Sequence, residues 1–396
     1  VPNIQGHCDE RFARVATALE RQLESGEDLG ASVAVALHGE LVVDLWGGTL
    51  DAAGARPWQR DTIVNVMSTT KTMLALSALL LVDRGELDLD APVARYWPEF
   101  AAAGKGDVRV RSLLGHTAGL PAWEHDVAPG ELADWEQCTS SLAAQTPAWE
   151  PGTRPGYHAL TQGFLVGEVM RRITGESVGA FFRAHLAEPL HAEFWIGVPP
   201  EIDARIAPLL AAPDEFREVA RERPALAARS LFNPVISAEA TAETFWRRAE
   251  VPAANGHGNA RGVASVQALV SGRGEALGKR LLSERTISSI FSEQANGVDL
   301  VLQTPVRWGI GYGLASESMP IGPRACQWGG HGGSVVFSDQ ATGLTVAYVM
   351  NQMRIEGDMR GTAIIAAAKS SVEPMWRRAV RTGRRVERAL RRRLRA

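Results

Sequence analysis

Ser68-Thr69-Thr70-Lys71 runs without a break into Thr72-Met73-Leu74-Ala75-Leu76-Ser77-Ala78-Leu79-Leu80-Leu81-Val82, and the fold turns on how this stretch is read. The run is apolar and free of glycine and proline until Gly85, which predicts a buried helix that stops there. Residues three apart share a helix face, so the Ser68 hydroxyl and the Lys71 amine can meet. A free serine hydroxyl is a poor nucleophile, and an ordinary lysine is protonated and no base. Burial lowers the amine's pKa and makes it a proton acceptor. A Ser-x-x-Lys at the start of a buried helix therefore supplies an activated nucleophile. A capping serine with a surface lysine one turn on would leave the same four letters, so partners elsewhere in the chain have to decide.

Outward from this helix, the pattern is helix, hairpin, a long helical insert, a few strands and a helix. Phe12, Val15, Leu19 and Leu23 recur at helical spacing between Glu10 and Glu24. Ala31–Leu37 and Leu41–Trp46 are strand-like and joined through His38-Gly39-Glu40, a hairpin signal. From about residue 85 to 260 the pattern is mostly helical, with helices expected at Leu160–Met170 and, between Pro213 and Pro224, at Asp214–Arg223. Gly262–Leu269 and Leu281–Phe291 are further helix candidates. Strand signals return after Val298, at Trp308–Gly313, Ser334–Phe337 and Leu344–Met350. From Ala363 onward the chain reads as helix, interrupted at Pro374. The expected class is α+β, a central antiparallel sheet flanked by terminal helices with a helical insert domain. The sheet domain would comprise residues 1–60 and 262–396, the helical domain residues 61–261, with the site between them.

Composition narrows the function. The 396 residues allow a sizeable core, and 45% hydrophobic with 22% charged residues is ordinary globular usage. A net charge of −3 gives no case for nucleic-acid binding. No run reaches the roughly 18–20 apolar residues a bilayer span needs. The first residues, Val1 to His7, lack the basic and apolar regions of a secretory leader, so a cytoplasmic location is expected. Cys8, Cys138 and Cys326 are isolated, without metal-ligand spacing, and read as buried free thiols. The ten arginines between Arg377 and Ala396 read as a solvated helix with an interrupted apolar stripe.

Two further segments carry candidate chemistry. Pro151-Gly152-Thr153-Arg154-Pro155-Gly156-Tyr157-His158-Ala159 is a turn-rich loop leading into a helix. A phenol such as Tyr157 beside a lysine ammonium loses its proton more easily and can act as a base. Gln327-Trp328-Gly329-Gly330-His331-Gly332-Gly333-Ser334 precedes or forms a strand, and its glycines suggest close approach of a ligand to the backbone. Amides there can donate to an oxyanion. Trp123 and Trp308 are candidates for lining a pocket, with core packing the competing reading. His331 as a base and His257 as a metal ligand are weaker candidates, since neither has a spaced partner. No G-x-S-x-G elbow is present.

Taken in order, Ser68-x-x-Lys71, Tyr157 and the glycine-rich segment resemble the serine β-lactamase and penicillin-binding-protein superfamily. Val82–Asp90 and Leu113–Pro121 resemble its flanking text as well, and the resemblance runs from about residue 10 to 370. It implies a β-lactamase/transpeptidase-like fold. Two departures stand out. Ala159 takes the place of the asparagine in the class C Tyr-x-Asn, and Trp328-Gly329-Gly330, or His331-Gly332-Gly333 in a second register, takes the place of Lys-Thr-Gly. No lysine remains there to hold a substrate carboxylate. Trp-Gly-Gly is similar to family VIII carboxylesterases, and a neutral aromatic pocket suits an uncharged ester.

The resemblance implies a carboxylesterase acting on small to medium acyl esters through an acyl-Ser68 intermediate. Lys71 would take the proton from Ser68, and Tyr157 would relay a proton to the leaving alcohol, with the identity of the base open between them. The oxyanion hole would use the backbone N–H of Ser68 and that of His331 or, in the second register, Ser334. Trp328, Gly329 and Gly330, with Trp123 and Trp308, would form the pocket. The expected partner is a small-molecule ester, and neither metal nor organic cofactor is expected. The alternatives are an acyltransferase of the same fold, a β-lactamase or D-amino peptidase, and a non-catalytic scaffold.

Overall fold

The computed structural model describes residues 4–212, 224–355 and 357–372. Among the described residues, nine strands form one antiparallel sheet. Its order across the sheet is Gln5–Cys8, Glu40–Gly48, Gly30–Leu37, Leu344–Met350, Val335–Asp339, Ala325–Gly329, Gly313–Leu314, Pro305–Trp308 and Ala295–Val298. The two ends of the chain thus meet in the middle, where Val346 pairs with Val35 and Ala347 with Ala34. Every residue of Leu344–Met350 is buried, as in a strand covered on both faces, and this explains its unbroken apolar sequence. Ala260–Ser271 packs on this strand, and so does Arg360–Val372, which also packs on Ala13–Glu24. The α+β arrangement read from the sequence, an antiparallel sheet covered by the terminal helices, is the one observed.

The hairpin of Gly30–Leu37 and Glu40–Gly48 turns at His38 and Gly39, both with positive φ (52° and 86°). Trp308–Gly313, expected as one strand, is instead the turn between two. Pro305–Trp308 ends, Gly309 N–H donates to the Tyr312 carbonyl (2.8 Å), and Gly313–Leu314 starts back. Gly311, at φ 74°, sits so close to the helix of Ser68 that a β-carbon there would lie 2.4 Å from Ala75 Cβ. The aromatic and β-branched residues of this stretch gave a strand signal, but its three glycines serve the turn.

Strands also begin earlier than the sequence suggests, at Ala295–Val298 on the sheet edge. The second helix candidate after residue 260 is shorter than read, Glu284–Ser288 continued by a 3-10 turn at Ser289–Phe291. The expected helix Asp214–Arg223 and the arginine-rich segment lie outside the described residues.

Between the hairpin and Ala260–Ser271 lie mostly helices, including Thr70–Asp83, Trp135–Ala144 and Thr161–Thr174. A four-stranded sheet interrupts them, in the order Phe194–Ile196, Gly256–Gly258, Ile63–Asn65, Ile206–Ala207. None of its strands exceeds three residues. Runs this short show no alternation to read. Thr70–Asp83 is buried at every position from Thr70 to Leu81 and therefore lacks an amphipathic stripe.

A buried charge cluster ties the terminal helix to the sheet. Arg360 Nη1 donates to Asp28 Oδ1 (2.7 Å), and the Tyr348 hydroxyl donates to the same oxygen (2.6 Å). Arg360 also binds Asp358 Oδ2 (2.8 Å) and the Gly332 carbonyl (3.0 Å). Side-chain exposure is 2% for Arg360 and 0% for Asp28, so removing one partner strands the other's charge. Arg360→Met should cost about 3–5 kcal/mol, read from urea unfolding. A loss below about 1 kcal/mol would show that Tyr348 alone suffices for Asp28.

Candidate active site

Ser68 sits in a single 3-10 turn, Met67–Thr69, between the short strand Ile63–Asn65 and the helix Thr70–Asp83. Met67 has a positive φ of 46°, which no β-branched residue would tolerate cheaply. The bend is braced by Thr70 Oγ1, which donates to the Met67 carbonyl (2.6 Å) and accepts from Gly256 N–H (2.8 Å).

Lys71, one helical turn on, is fully buried. Its Nζ lies 2.7 Å from the Ala159 carbonyl, 2.9 Å from the Ala253 carbonyl and 3.2 Å from Ser68 Oγ. Burial holds its pKa well below the usual lysine value. A neutral amine has two N–H bonds and one lone pair. With both N–H groups committed to the carbonyls, the lone pair is left for the serine hydroxyl.

Tyr157 approaches Ser68 from the other side, its hydroxyl donating to Ser68 Oγ (2.7 Å). Burial raises its pKa above that of a free phenol, with smaller contributions from the Ser68 hydrogen bond, which lowers it, and from Asp299, which raises it. The loop that carries it leads into Thr161–Thr174 and is pinned by Gly156 N–H to the His116 carbonyl (2.9 Å). Lys71 Nζ stands 4.9 Å from the Tyr157 ring centroid. Serine, lysine and tyrosine, 89 residues apart at the extremes, thus share one oxygen.

The glycine-rich segment closes a third side. Trp328 and Gly329 end the strand Ala325–Gly329, and Gly329 pairs with Val335 on the return strand. Gly330 to Ser334 form the connecting loop, closed by Gly330 N–H to the Ser334 carbonyl (2.8 Å) and Gly333 N–H to the Gly330 carbonyl (3.1 Å). His331-Gly332-Gly333 therefore lies in a turn, with positive φ at both glycines, while Trp328-Gly329 occupies the strand. Ser334 is buried, and its hydroxyl donates to the Val66 carbonyl (2.7 Å) and lies 3.0 Å from Thr69 Oγ1. The loop is thereby held on the bend that carries Ser68. Gly330 makes this approach possible, since a β-carbon there would lie 2.2 Å from the Val66 carbonyl oxygen.

An aromatic cluster surrounds Tyr157. Trp328 stacks on His116 (centroids 5.5 Å apart, 16° between planes) and meets Trp308 at 5.0 Å, and His116 meets Tyr157 at 5.0 Å. Trp123 is not in it. Its ring packs edge-on against Phe164 (5.4 Å) and its indole N–H donates to the Cys138 carbonyl (3.0 Å), which makes it a core residue of the helical layer.

Two residues central to this geometry went unread in the sequence. Buried Asp299 accepts backbone N–H bonds from Tyr157 (3.0 Å), Val301 (2.8 Å) and Leu302 (2.9 Å) through one oxygen and the Trp308 indole N–H (3.1 Å) through the other. His116 accepts from His158 N–H (3.1 Å) and is held neutral by burial. His116 stood inside the Leu113–Pro121 segment that carried part of the resemblance; Asp299 stands in no pattern.

Of the remaining histidines considered, burial pushes His331 and His257 each down to about 4. His257 Nδ1 bonds the Asn255 carbonyl (2.8 Å), and among the described residues no group of three or more His, Cys, Asp or Glu could hold a metal ion. No helix among them is long and apolar enough to cross a membrane.

The Mycobacterium tuberculosis protein named Esterase/beta-lactamase LipL is 34% identical over 364 residues, covering 88% of this chain and 83% of its own. Esterase EstB of Burkholderia gladioli is 28% identical, covering 86% and 90%. A crystal structure described as a family VIII carboxylesterase superposes with a TM-score of 0.88 at 40% identity, covering 93% of this chain and all of that one. Residues 15–369, which hold every group gathered at Ser68, match the family described as Beta-lactamase, and the chain belongs to that family.

Proposed function

We propose that the protein is a serine carboxylesterase that cleaves small to medium acyl esters through an acyl-Ser68 intermediate. The observation that carries this reading is the opposed pull on two groups that share one oxygen. Burial disfavours the charged form of each, so Lys71 is held as a free amine and Tyr157 as a protonated phenol. Two such groups divide base and acid work between them.

Lys71 takes the hydroxyl proton as Ser68 Oγ attacks the ester carbonyl. The oxyanion forms against the backbone N–H groups of Ser68 and His331, the residue that follows Trp328-Gly329-Gly330. When the tetrahedral species collapses, the Tyr157 phenol gives its proton to the leaving alkoxide, and the Lys71 ammonium restores it. Water then repeats the sequence in reverse and frees the acid. Lys71 is the base in this reading, because a phenol with a raised pKa is a donor first.

An ester fits better than a lactam carboxylate. Trp328 stands where a lysine would bind that anion, and Trp308, Trp328 and His116 offer an uncharged aromatic wall. Several relatives that cover most of the chain are named esterases, one of them esterase/beta-lactamase, and another is described as a penicillin-binding protein homologue.

Ser68→Ala should lower kcat/KM on p-nitrophenyl butyrate by roughly 10³-fold or more, with no burst of p-nitrophenol. Unchanged turnover would remove Ser68 from the chemistry, and faster hydrolysis of a chromogenic cephalosporin than of the ester by the wild type would move the reading to a lactamase.

The pH dependence has a defined sign. The active form carries Lys71 unprotonated, so kcat/KM should rise with pH through the lowered lysine pKa and level off well below the usual lysine range. Lys71→Arg, which stays protonated at every accessible pH, should be inactive across the whole profile. Retained activity in this variant would exclude an amine base.

Ser334→Ala should reduce kcat by roughly 10–100-fold with KM nearly unchanged, less than the 10²–10³ of a lost oxyanion donor, because the loop carrying His331 N–H is loosened rather than removed. A rise in KM alone would assign Ser334 to substrate binding instead.

A further inference from the structure

The loop Gly330–Ser334 contains three glycines, which accept many backbone conformations, so it does not hold its own shape. It is held from two parts of the chain. At the bend that carries Ser68, the Ser334 hydroxyl donates to the Val66 carbonyl (2.7 Å), and Gly330 lies against the same oxygen. In the segment after the last strand, Arg354 N–H and Arg360 Nη2 both donate to the Gly332 carbonyl (3.0 Å each), which occupies both lone pairs of that oxygen. His331, whose N–H is assigned to the oxyanion hole, lies between Gly330 and Gly332.

The Arg360 guanidinium is fixed on every edge. Nε and Nη2 donate to the two oxygens of Asp358 (3.0 and 2.8 Å), a bidentate pair. Nη1 serves Asp28 Oδ1 (2.7 Å) and the Gln352 and Glu27 carbonyls (2.9 and 3.2 Å). The remaining Nη2 hydrogen goes to Gly332. A guanidinium has five N–H bonds in one plane, so this last donor cannot shift without another being given up. Gly333 permits the approach. A β-carbon there, at φ 128°, would lie 2.5 Å from Asp358 Oδ2 and 2.7 Å from Arg360 Nη2.

The bond to Gly332 is not needed for charge balance, which Asp28 and Asp358 supply. Its consequence falls on the loop. The Gly332 carbonyl is two peptide units from the His331 N–H, and an oxyanion donor works only within about 2.7–3.1 Å of the oxygen it stabilises. A displacement of roughly 1 Å can cost about 10²-fold in rate. We propose that Arg360 is a positioning residue for the acyl-Ser68 chemistry proposed above, holding the glycine-rich loop so that His331 N–H meets the developing oxyanion. It touches neither substrate nor Ser68 in this role and acts through the backbone of Gly332.

The test compares the wild type with Arg360→Lys on p-nitrophenyl butyrate, kcat being taken per folded molecule from urea unfolding curves. Lysine keeps the charge but lacks the planar fork, so it cannot serve both carboxylates and Gly332. kcat should fall roughly tenfold with KM within about twofold. Butaneboronic acid, whose boron bonds Ser68 Oγ to give an anionic tetrahedral adduct, should bind more weakly by the same factor. A role in stability alone would lower the folded fraction and leave both kcat per folded molecule and boronate inhibition unchanged. That result would overturn the proposal, as would a rise in KM alone. If Arg360→Lys does not fold, Asp358→Asn decides on the same readouts, since it turns one acceptor of the fork into a donor. There a fall in kcat of about threefold, matched by the boronate, is expected, and an unchanged kcat would overturn the proposal. A wild type that the boronate does not inhibit would overturn the acyl-Ser68 reading and this role with it. An inhibited wild type beside an unaffected variant would remove the role of Arg360 alone.

Discussion

The amine of Lys71 is held out of water, and much of the architecture follows from what that requires. A desolvated ammonium would be costly, so the group gives up its proton more readily and needs only two acceptors to be content as an amine. Those acceptors are carbonyls from segments far apart in sequence, Ala159 and Ala253. Each is fixed from behind. Ala159 precedes the buried helix Thr161–Thr174, and the turn after Ala253 is braced by Asn255, whose side chain accepts from Val251 N–H (2.9 Å) and donates to the Trp246 and Ala249 carbonyls (2.9 and 2.5 Å). Asn65 adds a link from the strand before Ser68 to the Ala254 and Gly256 carbonyls. The bend that carries Ser68 and the acceptors of the Lys71 amine are therefore parts of one hydrogen-bonded unit, joined across the four-stranded sheet.

The same burial acts on Tyr157 with the opposite chemical result. Low polarity favours the neutral form of both groups, and neutral means base for an amine and acid for a phenol. Asp299 adds to the effect. It fixes the Tyr157 backbone and the Trp308 indole, and its negative charge makes a tyrosinate still harder to form. One carboxylate thus fixes the Tyr157 backbone, adds to the burial that keeps its phenol protonated, and holds a side of the aromatic wall.

What the sequence reveals depends on whether a feature is local. The helix Thr70–Asp83 is legible because burial all round produces an unbroken apolar string, and Leu344–Met350 for the same reason. The hairpin at His38-Gly39 is legible because its turn has its own chemistry. The four-stranded sheet is not, because strands of two or three residues carry no period. The turn at Trp308–Gly313 carries the signal of a strand because glycines alternate there with large residues. Within the site, Ser68 and Lys71 stand at helical spacing and Tyr157 follows a turn-rich loop, so pattern reaches them. Asp299 acts through backbone amides of residues that only the fold brings to it, and no spacing announces that. Trp123 and Trp308 look alike in sequence, and only the ring contacts separate core from wall.

The departures from the lactamase pattern fall on side chains, whereas the proton machinery rests largely on the main chain. Ala159 has lost the amide that a class C enzyme would present, yet its carbonyl still receives Lys71. On the proposed register Trp328 takes the place of a cation, yet the strand that carries it still leads into a loop held on Val66 and Thr69 by Ser334. A main-chain carbonyl or amide survives any substitution that keeps the backbone path. Side chains facing the substrate can therefore change from charged to aromatic without disturbing how Ser68 is activated. The constraint on such exchanges lies in the close approaches, above all at Gly330, where a β-carbon would press on the Val66 carbonyl and push the loop off the bend. On the proposed reading, a preference for an ester over a lactam would be set by the few side chains that are free to vary, while the glycines and carbonyls beneath them are not.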